Sequence, residues 1–289
     1  MPGDVYCVVP TFTPESAVVD LLGVLVAACP VLVVDDDSPC TSDLVLRRAE
    51  DIPNVRVIRH LSNAGIGRGL NDGLAAAREA GCSWLLTVDQ DTEVSTEYIP
   101  TIAEAARLLG LSGVPLGALG AGAVNIAGAT MRYPGRTLDF GGLIFSITEE
   151  VIQSGTIWNV QAMTSIGGFN EEFGMDAVDA HACLRLREKG HVVAALPELT
   201  IDHQLGSAQS VNVGRKRPVF VTGHSPERRA TMIRNRLALF PNEFRQSPRH
   251  ALRTLRRVLV NQTAGLMLEG DGWAKVRGSM RGLTKRYNR

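Results

Sequence analysis

The stretch Ser83-Trp84-Leu85-Leu86-Thr87-Val88-Asp89-Gln90-Asp91-Thr92 decides the fold. It is a short apolar run that stops abruptly at two carboxylates two positions apart. A run of this length, Ser83 to Val88, reads as a strand buried on both faces, as in a parallel sheet. Side chains alternate across an extended chain, so Asp89 and Asp91 would share a face and aim at one point. Paired hard oxygen donors suit Mg²⁺ or Mn²⁺, which complete their shells with water and phosphate. A solvated loop would account for the same residues.

Upstream, the same unit repeats. Val5 to Val9 reads as a strand ending at Pro10, and Glu15 to Cys29 as a helix. Val31 to Val34 is a second strand, Leu44 to Glu50 a helix, and Val55 to Ile58 a third strand. Ile66 to Ala80 is a helix that Gly81 would cap. Downstream of the quoted stretch a helix runs from about Thr96 to Leu109. Strands alternating with helices over short loops predict a parallel sheet with right-handed crossovers. Ligands of such sheets bind beyond the carboxyl ends of the strands. Residues just after each strand are therefore the candidates for chemistry.

The second half is mixed. Residues 110–155 are Gly-rich, with short strands expected at Ala118–Asn125 and Leu143–Ile147. Helices are expected at Val160–Ile166 and Ala177–Lys189. A strand is expected at Val192–Leu196, with His203 just beyond it. Two helices, Arg228–Phe240 and Pro248–Leu268, would close the chain. The domain reading is a body of residues 1–225, with a nucleotide-binding half at about 1–110 and an acceptor half at about 111–225. A basic helical extension, 226–289, follows.

Composition supports a globular chain. Of 289 residues, 45% are hydrophobic and 21% charged, which excludes disorder, collagen-like repeats and coiled coil. Net charge is +0, but it is unevenly spread. Residues 226–289 hold 15 Lys and Arg against 4 Asp and Glu, a net of +11, leaving −11 for residues 1–225. Such an arm is expected to face an anionic surface or to fold back on the body. It lacks interleaved aromatics, so no nucleic-acid partner is expected. The five cysteines include no CxxC pair, and Pro2-Gly3-Asp4 is unlike a secretory leader. A reducing cytoplasm is the expectation. The apolar run Leu21 to Val34 is broken by Pro30 and too short to span a bilayer.

Three further constellations stand out. Asp35-Asp36-Asp37-Ser38 follows the second strand, where a carboxylate could accept hydrogen bonds from a base or ribose; a turn ending at Pro39 would explain it equally. Asn63-Ala64-Gly65-Ile66-Gly67-Arg68-Gly69-Leu70-Asn71 opens a helix. Its N-terminus and Arg68 would attract phosphate, whereas its glycines could simply serve packing. Asp176-Ala177-Val178-Asp179 opens another helix. Asp176 could cap it there, or Asp179 could act as a general base.

Taken in order, these motifs resemble family-2 glycosyltransferases of the GT-A fold, in particular their rhamnosyltransferase-like branch. The resemblance covers roughly residues 5–240. It rests on Val9-Pro10-Thr11, Val33-Val34-Asp35-Asp36-Asp37-Ser38, Asn63 to Gly73, and Leu86 to Thr92. It continues through Ile166-Gly167-Gly168-Phe169-Asn170-Glu171, Val178-Asp179 to Gly190, Asp202-His203-Gln204-Leu205-Gly206, and Arg234-Asn235-Arg236. Three positions depart from the family pattern. Asp37 stands where a small residue is usual, His181 where an acid is common, and Arg229 to Met232 lacks paired tyrosines.

The resemblance implies a mainly parallel, Rossmann-like α/β sheet flanked by helices. It also implies inverting transfer of a sugar from a nucleotide diphosphate to an acceptor hydroxyl. Asp179 would be the base. Pro10, Thr11, Asp35, Asn63, Gly65, Arg68, Asn71, Asp89 and Gln90 would hold the donor. Asp89, Asp91 and His203 would bind Mg²⁺ or Mn²⁺, and Gly168, Phe169, Asp176 and His181 would line the acceptor side. The Asp-Gln-Asp form points to deoxythymidine-diphosphate-rhamnose, with uridine-diphosphate hexoses or galactofuranose left open. The acceptor would be a cell-envelope glycan or lipid-linked glycan, met at the inner face of the cell membrane, with 226–289 resting on anionic lipid. The oligomeric state is open, a homodimer included. A nucleotidyltransferase would want Gly and Lys after the first strand, and Pro10 to Pro14 has neither. A non-catalytic binding module would not need Asp91, Asp179 and His203, and a dehydrogenase would need a glycine fingerprint after the first strand.

Overall fold

The computed structural model describes residues 4–126, 128–203, 209–211, 219–221, 224–268, 274, 277–278 and 280–282. The first hundred residues fold as β1 (Val5–Thr11), α1 (Ala17–Val26), β2 (Val31–Asp35), α2 (Asp43–Glu50), β3 (Val55–Arg59), α3 (Ile66–Glu79), β4 (Trp84–Thr87) and β5 (Thr92–Glu93). Then come α4 (Tyr98–Leu111), β6 (Leu116–Ile126), β7 (Ala129–Arg132), β8 (Gly135–Phe140), β9 (Leu143–Thr148), β10 (Thr156–Asn159), α5 (Val160–Ser165), α6 (Val178–Glu188) and β11 (Val192–His203). The chain ends with β12 (Gln209–Val211), β13 (Val219–Val221), α7 (Pro226–Gln246) and α8 (Pro248–Leu268).

Two compact units form. One comprises Met1–Val124 with Arg132–His203; the other comprises Asn125–Met131 with Gln204–Arg289. The expected boundary at 225 thus falls inside the second unit, whose two long helices contact one another.

In the first unit the main sheet runs β3-β2-β1-β4-β10-β6-β11-β9-β8. Its first four strands are parallel, with Thr11 level with Asp35 and Asp35 level with Arg59. The apolar residues of β1, β2 and β4 are buried on both faces, which is why they read as continuous runs, while β3 at the sheet edge is only partly covered. Beyond β4 the sheet turns antiparallel: β10 runs against both β4 and β6, and β9 against both β11 and β8. The parallel expectation therefore holds for four of the eleven strands. The reason is local: β8 and β9 are joined by a hairpin through Gly141 and Gly142, both at positive φ, where no crossover helix could fit.

The order 3-2-1-4 places a switch in strand direction of travel between β1 and β4. The crevice at their carboxyl ends is where such sheets bind ligands. Helix α3 lies close over this region because of its glycines. A Cβ at Gly73 would stand 2.4 Å from Val8 Cβ, and one at Gly67 would stand 2.7 Å from the Asn170 carbonyl oxygen. Packing is therefore what Gly67 and Gly73 supply.

Two sequence-based bounds move. Strand β11 continues past Pro197 to His203, because its end finds a second partner in β5, with His203 level with Thr92. The residue before α6 is Ala177, at φ 65° and without a side-chain cap, so Asp176 is not the N-cap.

Candidate active site

Four strand ends meet at the crevice. Asp35 closes β2 and has no exposed surface. Its carboxylate accepts from Thr11 Oγ1 at 3.3 Å, the Ser38 backbone N–H at 3.2 Å, the Ser38 hydroxyl, and Arg59 Nε at 3.1 Å. Four protein donors on one buried carboxylate leave it no free face for a base. Asp35 therefore corrects the sequence expectation: it braces the β1, β2 and β3 ends from behind. Thr11 is equally buried and serves it, and Pro10 sits inside β1 level with Val34. Asp37, by contrast, is exposed and at φ 64°. That left-handed backbone explains why a small residue is usual there, and Asp is among the residues that tolerate it.

Asp36 does the same work toward α3. Its carboxylate accepts the backbone N–H groups of Ala64 and Gly65, both at 2.8 Å, and faces His60 Nδ1 at 2.9 Å. Asn63 Nδ2 donates to the Asp36 carbonyl at 3.2 Å, and the Ile66 N–H donates to the Gly174 carbonyl at 3.0 Å. The amides leading into α3 are thus taken by protein groups, not held open for phosphate. Of that segment, the Ala64, Gly65 and Ile66 amides serve the fold, as its packing glycines do. An internal carboxylate already occupies the favourable end of the helix dipole. Arg68 remains half exposed, with Nε 3.4 Å from Asp72 and Nη1 4.0 Å from Glu171. Asn71 exchanges two hydrogen bonds with the Phe169 backbone, at 2.8 and 2.9 Å, so it ties α3 to the Gly168-Phe169 turn.

His60 was not singled out by its sequence. Its second nitrogen lies 2.8 Å from Asp72 Oδ2. Both ring nitrogens face carboxylates, which only accept, so the ring donates twice and is an imidazolium. Burial pulls the His60 pKa down, but the hydrogen bonds to Asp36 and Asp72 outweigh it and leave it above the usual 6.5. Burial pushes Asp36 up, and the amides of Ala64 and Gly65 together with His60 hold it below 3.8.

The Asp89-Gln90-Asp91 loop lies between β4 and β5 and not on the strand itself. Gln90 and Phe12 exchange amide hydrogen bonds, Phe12 N–H to Oε1 at 2.9 Å and Nε2 to the Phe12 carbonyl at 3.0 Å. Gln90 thereby fixes the loop to the end of β1. From the far side, Ser154 Oγ accepts the Asp89 N–H at 2.9 Å and pairs with Thr92 Oγ1 at 2.7 Å. Gln153 Nε2 donates to Asp89 Oδ1, and its Oε1 is buried with no hydrogen-bond partner. Asp91 is exposed and Asp89 half-buried. The β5–β11 ladder sets the His203 backbone level with Thr92, next to Asp91 in sequence. Two accessible carboxylates and a neighbouring oxygen short of a donor fit a hard divalent cation. Gln204-Leu205-Gly206 of the late motif lies outside the described residues.

The expected acceptor residues divide. Phe169 is 2% exposed and packs edge-on against Trp158, with centroids 5.2 Å apart. It is a core residue, which corrects its assignment to the acceptor surface. Gly168 must be glycine, since at φ 80° a Cβ would stand 2.5 Å from Asn71 Oδ1. Asp176, Asp179 and His181 are partly exposed at the start of α6. Burial, with Arg185 nearby, pushes the His181 pKa down to about 4, so its ring is neutral at physiological pH. Its edge meets Phe173 at 5.2 Å between centroids.

Residues 6–117 match the family described as glycosyl transferase family 2. The chain carries a family-2 glycosyltransferase domain. The chain is 26% identical over 257 residues to the dTDP-rhamnosyl transferase RfbF of Shigella flexneri, covering 83% of this chain and 80% of that protein. Among solved structures, TarS 1-349 from S. aureus in complex with UDP-GlcNAc superposes with a TM-score of 0.60 at 16% identity. That match covers 97% of this chain and 79% of that one. The mannosyltransferase PcManGT from Pyrobaculum calidifontis, in complex with GDP-Man and Mn²⁺, gives a TM-score of 0.54 at 16% identity over 97% of this chain and 74% of that one. Against the longer S. aureus TarS chain, the match spans 46% of its length. The structural likenesses are likenesses of fold alone, and the fold is GT-A.

The His60 pair sets a pH signature. The His60 proton contributes stability that is complete below pH 6.5 and lost as pH rises through the higher folded value. The Asp36 contribution is present above pH 3.8 and lost as pH falls through its lower folded value. In urea melts, His60→Leu should therefore cost more stability at pH 5.5 than at pH 9. An equal cost at both would contradict the imidazolium.

Proposed function

We propose that this glycosyltransferase is metal-dependent and inverting, and that it moves rhamnose from deoxythymidine-diphosphate-rhamnose to a hydroxyl of a cell-envelope glycan or lipid-linked glycan. One observation carries the donor: likeness to a dTDP-rhamnosyl transferase extends over 83% of the chain, well past the family-2 domain. The half-open Asp89-Gln90-Asp91 loop at the β1/β4 crevice supports a nucleotide diphosphate there.

Asp89, Asp91 and His203 would hold Mg²⁺ or Mn²⁺, which when bound offsets negative charge on a leaving diphosphate. Gln90 keeps the loop in register with β1, and half-exposed Arg68 offers a cation at the rim. Asp179, at the start of α6, accepts the proton of the acceptor hydroxyl. That oxygen attacks the anomeric carbon from the face opposite the diphosphate. The carbon–oxygen bond to the diphosphate breaks, and its electron pair leaves with the nucleotide. Configuration at the anomeric carbon inverts. His181, neutral where related enzymes often carry an acid, would hydrogen-bond an acceptor without adding charge.

The basic extension 226–289 is assigned to an anionic lipid surface. On α8, Leu252 and Leu259 are more than half exposed, one heptad apart, with Arg253, Arg256 and Arg257 exposed among them. Among the described residues, no helix is long and apolar enough to cross a membrane. Cosedimentation should be seen with vesicles containing phosphatidylglycerol and not with pure phosphatidylcholine. Equal binding to both would sink the lipid assignment.

Thermal shifts with dTDP, UDP and GDP, each with and without Mn²⁺, test the donor site. Stabilisation should be largest for dTDP with Mn²⁺ and absent in Asp91→Ala. Asp179→Asn should keep that stabilisation while losing about 10²–10⁴-fold in turnover. No response to any diphosphonucleoside would contradict the reading.

A further inference from the structure

We infer that Gln153 belongs to the donor site, where its side-chain oxygen accepts a hydrogen bond from an O–H group of the bound donor–metal assembly. The inference rests on the reading of Asp89 and Asp91 as the diphosphate–metal loop. Gln153 stands 64 residues downstream, in the segment that leads into β10, and it is 93% removed from solvent by a relative exposure of 7%.

Its orientation is fixed by chemistry. An ionised carboxylate only accepts, so the amide must turn its NH₂ group to Asp89 Oδ1. The carbonyl oxygen Oε1 then points away from that carboxylate, buried and without a hydrogen-bond partner. A buried amide oxygen left without a donor is destabilising. Exchanging Gln153 for an apolar side chain would remove that cost only by leaving Asp89 without its amide donor. The arrangement makes sense when a donor arrives from outside the protein, beside Asp89. Two sources share this chemistry: a water in the shell of the divalent cation, or a hydroxyl of the nucleotide sugar.

The backbone around Gln153 is held independently of its side chain. Its carbonyl accepts from Thr87 Oγ1, and Ser154 Oγ binds the Asp89 N–H and Thr92. Side-chain replacement should therefore leave the loop in place. Gln153→Met keeps the length and removes both hydrogen bonds; Gln153→Ala is the second variant should Met overpack.

The test is calorimetric titration of dTDP, with and without Mn²⁺, alongside ligand-free melting. Ligand-free Tm should fall by no more than about 4 °C. Affinity for dTDP with Mn²⁺ should fall about 10-fold in both variants, the size of one hydrogen bond lost to the bound assembly. A loss confined to titrations with Mn²⁺ assigns the O–H to metal-bound water. A loss of equal size without Mn²⁺ assigns it to the nucleotide. Wild-type affinity in both folded variants overturns the inference. A wild-type protein that binds no diphosphonucleoside overturns the donor site and this inference together.

Discussion

The site depends on one interaction, the Asp36 carboxylate at the head of α3. It joins three pieces of chain that are distant in sequence: the end of β2, the Ala64-Gly65 turn, and His60 after β3. Through His60 it reaches Asp72 on the first turns of α3. A negative charge at a helix N-terminus is favoured by the helix dipole, and paired imidazolium and carboxylates are favoured in a partly dry setting. The helix is therefore pinned to the strand ends by charge, while Gly67 and Gly73 let it approach closely enough for that pinning.

The carboxylates around the crevice are consequently sorted by burial. Asp35 and Asp36 are spent inside, holding loops. Asp91 stands toward solvent beside half-buried Asp89 on a loop fixed from both sides, by Gln90 to the end of β1 and by Ser154 to the start of β10. A loop held this way presents oxygen ligands without having to reorganise when a ligand binds, which is what electrostatic work on a leaving diphosphate requires. The extensive internal bonding and the exposed acids are two parts of one design: charge that must not move, placed beside charge that must be reachable.

The parallel part of the sheet was legible because strands buried on both faces leave unbroken apolar runs, as in Val31 to Val34 and Trp84 to Val88. In the antiparallel part β6, β9 and the start of β11 were legible, while β8, β10 and the strand directions were not. β8 is exposed along most of its length and β10 is only four residues long, and β11 runs through Pro197 to meet β5, which is two residues long. Motifs pointed to the strand ends but could not divide the labour among their carboxylates. Asp35, Asp36 and Asp37 are identical side chains in a row, and only the fold decides which of them is buried. Phe169 looked like an acceptor residue and proved to be core against Trp158. His60 and Gln153 gave no signal at all: one is a lone histidine, the other a lone glutamine, and each acquires meaning only from carboxylates brought to it by tertiary contacts.

The central claim is that the loop between β4 and β5 is where a nucleoside diphosphate and its cation bind. A crystal soaked with dTDP and Mn²⁺, with anomalous scattering recorded at the manganese edge, tests it most directly. One strong anomalous peak is expected at about 2.0–2.3 Å from an Asp91 oxygen, with diphosphate oxygens in the same shell. A peak located elsewhere on the chain, or a diphosphate bound away from Asp89 and Asp91, would contradict it.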